Sequence, residues 1–386
     1  MGKTHLCRGQ SIKPEFSRRV DAAARWRRWL ALAALLSVAA LASAQPWRTL
    51  GPDGGDVRSL AHDPKDPDRI FLGTSAGSLY LSVDGGANWT RYAQLGNSRD
   101  LVLDRIAIDP SDPATMYVAA WSIESSNGDL FRTRDGGKTW NTLLAMHGKS
   151  VRSLTIAPSD PKTLVAGSRD GVYRTRDSGE TWERISPENH AEIKNIESVA
   201  VAPDNADVIY AGTRHLPWKT EDGGQHWHSI KKGIIDDSDV FSIIIDSANP
   251  STVYASACSG IYKSESAGEL FRKIQGIPFS ARRTRVLRMD PADHRVVYAG
   301  TTEGLWKTGD AGATWKRVTG ANVVVNDILL DPRNTARILM ATDRGGVLAS
   351  NDAERCLQPP IAALPTGRWR RYWWTATTAP SCMQAF

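Results

Sequence analysis

Aspartates recur along this 386-residue chain at intervals that could place their carboxylates in equivalent positions. Each follows a Ser or Thr by two residues, and successive members of the set lie 42 to 51 residues apart. Carboxylates can ligate cations or act as general acids and bases, so a repeated set raises both possibilities. The recurring positions are Asp84, Asp135, Asp177, Asp222, Asp310 and Asp352, with Ser266 at the equivalent fifth position.

The residues around each aspartate favour a structural role. The segments approximate Ser/Thr-x-Asp-Gly-Gly-x-x-Trp, in which Asp can accept backbone hydrogen bonds within a turn and Gly can adopt a positive φ. An aromatic side chain ends each of the first six segments and is expected to anchor the next strand. Carboxylates on equivalent turns of different repeats cannot converge on one substrate, so we interpret them as turn builders. The aromatic positions are Trp89, Trp140, Trp182, Trp227, Phe271 and Trp315.

A second marker divides each repeat into short strands. An aliphatic segment ends in Asp-Pro or Ala-Pro, as at Asp63 and Asp109, and the aromatic Phe71 or Tyr117 follows eight residues later. With the Asp segment, this gives four β-rich runs per repeat of about 42 to 45 residues, the period of propeller blades. The sequence predicts an all-β fold: a seven-bladed β-propeller of four-stranded antiparallel blades over residues 45–352. Residues 47–50 resemble a strand that follows an Asp segment, and they are predicted to complete the last blade.

The N-terminal segment has the composition of an export signal. Eight of the 48 basic residues and two of the 42 acidic residues fall within residues 1–44, so the remaining chain is balanced in charge. This balance argues against nucleic-acid binding, which needs a concentrated basic surface. Basic residues precede an apolar run over residues 30–41, and small residues end at Ala44. We predict a signal peptide over residues 1–44, cleaved after Ala44, with an uncleaved anchor as the alternative. The protein is then expected to be periplasmic or extracellular, with membrane contact only during export.

The repeat ends after Asp352, and residues 353–386 have an aberrant composition. Joining the third base of each codon to the first two bases of the next converts residues 372–375 to Leu-Val-Asp, and residues 382–385 to Tyr or His, Ala, and Gly or Ser. The hidden Asp and Tyr are again eight apart. We hypothesise that this tail is a frame-shifted continuation of the repeat, the alternative being an ordinary divergent tail, and expect it to be poorly ordered.

The repeated segment resembles that of the Asp-box or BNR-like propellers. Over residues 47–352 the chain is most similar to the photosystem II stability/assembly factor-like proteins, and it also resembles sortilin-type receptor domains, sialidases and xyloglucanases. The resemblance implies a propeller fold, while one scaffold serves unrelated functions. The first of these groups implies an exported scaffold for protein assembly.

Two of the groups that the chain resembles are enzymes, and their catalytic motifs can be compared with the matching residues of this chain. In xyloglucanases a Thr-Asp-x-Gly-Gly turn of the first blade supplies a catalytic Asp, and the matching residue here is Ser75. A hydroxyl cannot replace that carboxylate, and glycoside hydrolysis also needs a second one. The Arg-Ile-Pro motif of sialidases is reduced to Gly276-Ile277-Pro278. We therefore expect no catalytic residues.

Turns between the second and third strands of each blade are the predicted binding surface, because equivalent turns gather at one end of the channel. Besides Ser75 and Cys258, the candidates are Trp121, Glu124, Arg169, Asp170, Arg214, His215, Glu303, Asp343 and Arg344. His226 and His228 flank Trp227 and could share one side of a strand, but no third ligand is near in sequence. We predict no metal and no cofactor.

Two functions remain open from the sequence. The first is a monomeric, non-enzymatic scaffold that recognises a protein partner or assembly intermediate through one face. The alternative is a glycoside hydrolase or glycan-binding lectin of the BNR-repeat type.

Overall fold

The computed structural model describes residues 48–51, 55–97, 99–235, 238–281 and 283–352. The predicted signal peptide (1–44) and tail (353–386) lie outside these residues. Within the described ranges, no helix is long and apolar enough to cross a membrane. The two helices there are single 3₁₀ turns, Leu144–Met146 and Phe279–Ala281.

Seven four-stranded antiparallel sheets make up the described chain, which confirms the predicted seven-bladed propeller. In chain order the strands are β1 (Arg48–Gly51), β2 (Val57–His62), β3 (Ile70–Thr74), β4 (Ser78–Ser82), β5 (Thr90–Gln94), β6 (Leu101–Ile108), β7 (Met116–Ser122), β8 (Gly128–Thr133), β9 (Asn141–Thr142), β10 (Val151–Ala157), β11 (Asp160–Ser168), β12 (Val172–Thr175), β13 (Glu183–Arg184), β14 (Ser198–Val201), β15 (Ile209–Gly212), β16 (Pro217–Thr220), β17 (His228–Ser229), β18 (Val240–Ile245), β19 (Val253–Ala257), β20 (Gly260–Ser264), β21 (Phe271–Lys273), β22 (Thr284–Met289), β23 (Val297–Thr301), β24 (Gly304–Thr308), β25 (Lys316–Arg317), β26 (Val325–Asp331), β27 (Asn334–Thr342) and β28 (Gly346–Ser350). Blade 1 is β2–β5, and each of blades 2 to 6 takes the next four strands in turn.

Blade 7 joins the two ends of the described chain. It consists of β26, β27 and β28, and its fourth strand is β1, which pairs antiparallel with β28. This pairing covers the sheet edge that β28 would otherwise expose to other chains.

The apolar core is divided among the contacts between neighbouring blades. Each of seven hydrophobic clusters combines residues from two adjacent blades. The cluster between blades 7 and 1, for example, packs Leu339 and Val347 against Val57 and Ile70. A four-stranded sheet cannot bury both faces by itself, so each blade depends on both neighbours for its core.

The Asp-box turns are held by their own side chains. In blade 2, Asp135 accepts hydrogen bonds from the backbone amide of Thr139 at 2.9 Å and from its hydroxyl at 2.6 Å. The Thr133 hydroxyl donates to the same carboxylate, and the Gly137 amide donates to that hydroxyl. Gly137 has a φ of +91°, which favours glycine.

The box turns also connect each blade to the one before it. The Tyr117 hydroxyl of blade 2 donates to the Ser178 carbonyl, the residue after the box aspartate of blade 3, at 2.7 Å. Tyr210 donates to Ala267 in the same way, and Arg337 of blade 7 donates to Gly85 of blade 1. Burial raises the pKa of Tyr117 to about 12, so its hydroxyl remains a donor at neutral pH. The boxes are thus part of the contacts between blades.

Antiparallel order separates the turns of each blade into two faces. The Asp-box turns and the Asp-Pro or Ala-Pro turns lie at the same end of every blade, which we call the box face. Turns between the second and third strands, and the connections from blade to blade, lie at the opposite end.

Candidate functional site

A cavity of about 1130 Å³ lies at the centre of the ring, on the face opposite the boxes. Its rim includes Ser75, Arg99, Ile123 and Asp343, which belong to turns or blade connections on that side. We call it the central cavity and this side the cavity face. Its volume exceeds that of most small-ligand pockets, which span about 300 to 1,000 Å³, and is large enough for an extended segment.

The first strand of every blade contributes one side chain to this cavity. In each blade the contributing residue lies five positions before the Asp or Ala of the Asp-Pro or Asp-Pro-like turn. These seven side chains, which we call the inner ring, differ from blade to blade in charge and polarity. They are Arg58, Asp104, Arg152, Glu197, Phe241, Arg285 and Asn326.

A repeated backbone irregularity directs these side chains inward. The pairing of the first two strands shifts register at the ring residue in six blades, for example between Val57 and Ser59 around Arg58. In blade 4 the ring residue Glu197 immediately precedes β14. An extra residue of this kind is a β-bulge, which turns a side chain away from the ladder. The bulge explains why every blade can present a ring residue without changing its core.

Two ring carboxylates are engaged by arginines of neighbouring blades. The Arg58 guanidinium lies 3.3 Å from Asp104, and Arg152 lies 3.3 Å from Glu197. Asp104 also accepts a hydrogen bond of 2.9 Å from the Trp121 indole. The Arg152 guanidinium lies over this indole ring, 4.3 Å from its centroid. Burial alone would raise the pKa of Asp104, but the adjacent Arg58 holds it below its usual value. Both carboxylates are therefore already engaged by arginines of this chain.

Arg58 also meets a second arginine of the ring, Arg285, at Asn326. Arg285 donates to the Asn326 amide oxygen, and Arg58 lies 3.5 Å from the same atom. Burial, followed by the charge of Arg58, lowers the pKa of Arg285. Among the described residues, no carboxylate lies within ion-pair distance of Arg285, and the Nε of Arg58 is buried without a hydrogen-bond partner. Two guanidinium groups thus converge on one neutral amide, an arrangement that favours an anionic ligand.

A pair of carboxyl groups lies beside these arginines. Asp56 accepts a hydrogen bond from the Asn326 amide at 3.2 Å, and its carboxyl group is within hydrogen-bonding contact of Asp343. Burial raises the pKa of Asp56; Arg58 opposes the increase and Asp343 adds to it. Two carboxyl groups in contact favour retention of a proton between them.

The turn between the second and third strands of blade 2 is longer than its counterparts. From Tyr117 in β7 to Thr133 in β8 is 16 residues, whereas the same interval is 10 or 11 residues in the other blades. The added residues extend the hairpin over the rim, and Ile123 near its tip is 53% exposed. This insertion accounts for the longest interval between box aspartates, 51 residues from Asp84 to Asp135.

Four of the predicted surface residues line the central cavity: Ser75, Trp121, Glu124 and Asp343. Ser75 contributes a hydrogen bond to Asp56, and Trp121 holds Asp104 as described above. Their role in ligand binding stays a prediction.

The other predicted residues lie on the same face outside the cavity lining. Arg169 donates to Ser126 of the long hairpin, and Asp170 accepts from Lys149 at 2.9 Å. Cys258 is buried. These outer residues are Arg169, Asp170, Arg214, His215, Glu303 and Arg344.

Neither the box aspartates nor the histidines form a metal centre in the described chain. Each box carboxylate is bonded within its own turn, and His226 Nδ1 lies 2.6 Å from the Asp222 carboxylate. Among the described residues there is no group of three or more potential ligands that could hold a metal ion.

The inner ring was missed by the sequence analysis, although a signal for it exists. A position counted back from the Asp-Pro turn holds three arginines, two acids, one aromatic residue and one amide in seven repeats. When the residue type varies at a fixed position of an otherwise regular repeat, the fold does not require a particular side chain there, and the position is a candidate for ligand binding.

Comparisons with known proteins support the architecture and leave the activity open. The Sortilin-Vps10 family model, described as "Sortilin, neurotensin receptor 3", matches residues 128–234. A xyloglucanase of Paenibacillus sp is 28% identical over 158 residues, which are 36% of this chain and 15% of that protein. The chain thus spans a small part of the enzyme it matches.

Solved structures show the same fold in proteins of different function. The GH74 xyloglucanase of Xanthomonas campestris superposes with a TM-score of 0.65 and 21% identity, over 82% of this chain and 55% of that one. YCF48 bound to D1 peptide gives a TM-score of 0.60 and 15% identity, over 79% of this chain and 97% of that one. At these identities the likeness shows the fold alone. The chain is a seven-bladed propeller with Asp-box turns, and its fold is similar both to that of a protein solved with a peptide and to that of a xyloglucanase.

Proposed function

We propose that this Asp-box propeller is an exported, non-enzymatic scaffold that binds a protein segment at its cavity face. The observation that carries the proposal is the convergence of the Arg58 and Arg285 guanidinium groups on the neutral Asn326 amide, with no carboxylate of the described residues in direct contact with Arg285. A carboxylate of the segment would receive charge-assisted hydrogen bonds from these guanidinium groups. Export rests on the composition of residues 1–44.

The surroundings suit an extended polypeptide. The cavity of about 1130 Å³ is lined by polar groups together with the rings of Tyr80, Trp121 and Phe241. Aromatic rings contribute apolar contact at low entropic cost, while polar groups orient the ligand. The match between this chain and YCF48 covers nearly the whole of a protein whose structure holds a peptide, which adds support.

The state of the carboxylates weighs against hydrolysis. A glycosidase needs one carboxyl group as an acid and a second carboxylate, with the two about 5 to 10 Å apart across the bond to be cleaved. Asp104 and Glu197 are engaged by arginines, and Asp56 contacts Asp343 directly. Ser75 occupies the position at which the resemblance to xyloglucanases would require an aspartate.

The proposal can be tested with an array of random octapeptides that expose free C-terminal carboxylates, beside the same array with amidated C-termini. We expect the full chain to prefer the free carboxylates. Arg285→Gln should weaken this binding about 10- to 100-fold, because a hydrogen bond to a charged group contributes about 1.5 to 3 kcal/mol. The matched control is Arg295→Gln, which removes a box-face arginine of the same blade that pairs with Asp293.

Two results would contradict the proposal: equal binding to both arrays, or equal losses in the two variants. Either would mean that the arginines of the cavity do not select an anionic segment.

A second candidate, glycan binding or hydrolysis, is favoured by the cavity's aromatic rings and the partial likeness to xyloglucanases. Incubation with xyloglucan oligosaccharides distinguishes the two. Release of reducing ends that is abolished by Asp56→Asn would establish hydrolysis and exclude the scaffold reading.

A further inference from the structure

A second cavity of about 560 Å³ lies between blades 1 and 2, beside the central cavity. Gln94 and Asp100 line both cavities, so the two adjoin at these residues. A segment that occupies the central cavity can therefore extend outward into this second cavity, which we call the side pocket.

The long hairpin of blade 2 forms the wall between them. Trp121 and Ser122 are successive residues of β7 and point to opposite sides, Trp121 into the central cavity and Ser122 into the side pocket. Beyond the strand, Ile123 and Glu124 line the central cavity and Ser125 lines the side pocket. Ser122 is fixed by its hydrogen bond to Asp100, and Ser126 receives one from Arg169. The insertion thus creates a compartment that a hairpin of ordinary length would leave open.

The two compartments differ in charge. Seven arginines and six carboxyl residues line the central cavity, whereas the side pocket is lined by Asp100, which the two cavities share, and Asp129, with no lysine or arginine. Asp129 accepts from the Gly148 amide at 3.3 Å and lies 2.7 Å from His147 Nδ1, both contacts being made by Oδ1. Within the described chain its Oδ2 has no hydrogen-bond partner, so it can accept from a ligand.

Aromatic rings complete the side pocket. Phe131 is buried beneath it, and the Trp140 indole is held by a hydrogen bond of 3.0 Å to the Gly137 carbonyl. A cation that lies over an aromatic face and near a carboxylate is attracted electrostatically by both groups. The combination fits a lysine or arginine side chain better than an acidic or purely apolar one.

We propose that the side pocket binds a lysine or arginine side chain of the same protein segment whose carboxylate lies in the central cavity. This inference rests on the proposed function and specifies its ligand: a segment with a basic residue a few positions before an anionic one. The inserted hairpin sets that spacing.

The free-carboxylate octapeptide array provides the test. Among peptides bound by the full chain, Lys or Arg should be enriched at a fixed distance from the carboxylate. Asp129→Asn should reduce the affinity for the basic peptides about tenfold, because it removes the carboxylate that pairs with their cationic side chain beside the aromatic rings. The affinity for other peptides should not change. Ser125→Lys, a change of an exposed hairpin residue, should reduce the same subset by repulsion.

The matched control is Glu192→Gln, an exposed acid that lines neither cavity. Carboxylate preference without enrichment of basic residues, or enrichment unaffected by both variants, would overturn the side-pocket inference and leave the proposed function standing. Absence of carboxylate preference would instead refute the proposed function.

Discussion

The two faces of the propeller use the same repeat in opposite ways. On the box face, six of the seven turns carry an aspartate at the same position, and its hydrogen bonds stay within the turn. On the cavity face, the seven inner-ring positions hold five residue types, and their charged members contact residues of other blades. The repeated residues therefore specify the fold, and the residues that differ at a fixed position specify what the ring can bind.

The largest expected effect comes from adding a side-chain carbon to a box glycine that packs against the preceding blade. Gly224 has a φ of +101°, and an added Cβ would lie 2.7 Å from the Ile185 carbonyl oxygen of the preceding blade. Gly224→Ala should therefore lower the free energy of unfolding by about 3 kcal/mol or more, as measured by chemical denaturation. Gly148→Ala is the control, since Gly148 also has positive φ but no atom within 4 Å of the added Cβ. We expect about 1 kcal/mol there, and equal losses would show that blade packing does not restrict the boxes.

Acid titration distinguishes one box aspartate, Asp310, from Asp56 of the cavity face, because their pKa values shift in opposite directions. On the box face, the hydroxyl and amide of Thr314 lower the pKa of Asp310 to about 2, from 3.8. The folded state binds this proton less tightly than the unfolded state, so the stabilisation is present above pH 4 and is lost as the pH falls towards 2. Asp310→Asn should make Tm less dependent on pH between 4 and 2. An unchanged slope would show that this carboxylate does not stabilise the turn.

Asp56 on the cavity face should behave in the reverse way, with a smaller effect. Its pKa is raised, first by burial, so ionisation costs stability as the pH rises above 3.8 and until it passes the folded pKa. Asp56→Asn removes that cost and should leave Tm at pH 7 unchanged or raised by a few degrees. A clear fall in Tm at pH 7, with no fall at pH 3, would mean that the ionised carboxylate is stabilising and would remove this contrast between the faces.

The sequence predicts the box face better than the cavity face, for a physical reason. The hydrogen bonds of Asp135 reach four residues along the chain, so the local pattern contains all the partners. Arg58 contacts Asp104 and Asn326, which lie 46 and 268 residues away. Packing of blade 1 against blade 2 brings Asp104 into place, and ring closure brings Asn326. Trp121 and Glu124 were found because they lie in a turn of predictable position. The position of Arg285 in the central cavity was not predicted, because the bulge that turns it inward leaves no mark in the local periodicity.

The bulge in the first strand also bears on how such a ring can change over evolution. Because the extra residue is outside the regular pairing, its side chain can be exchanged without shifting the strand or repacking the contacts between blades. Duplication of a blade copies that tolerant position together with the fold, and later substitutions can alter each copy separately. A protein engineer could use the inner ring in the same manner, as seven separately adjustable positions around one binding space.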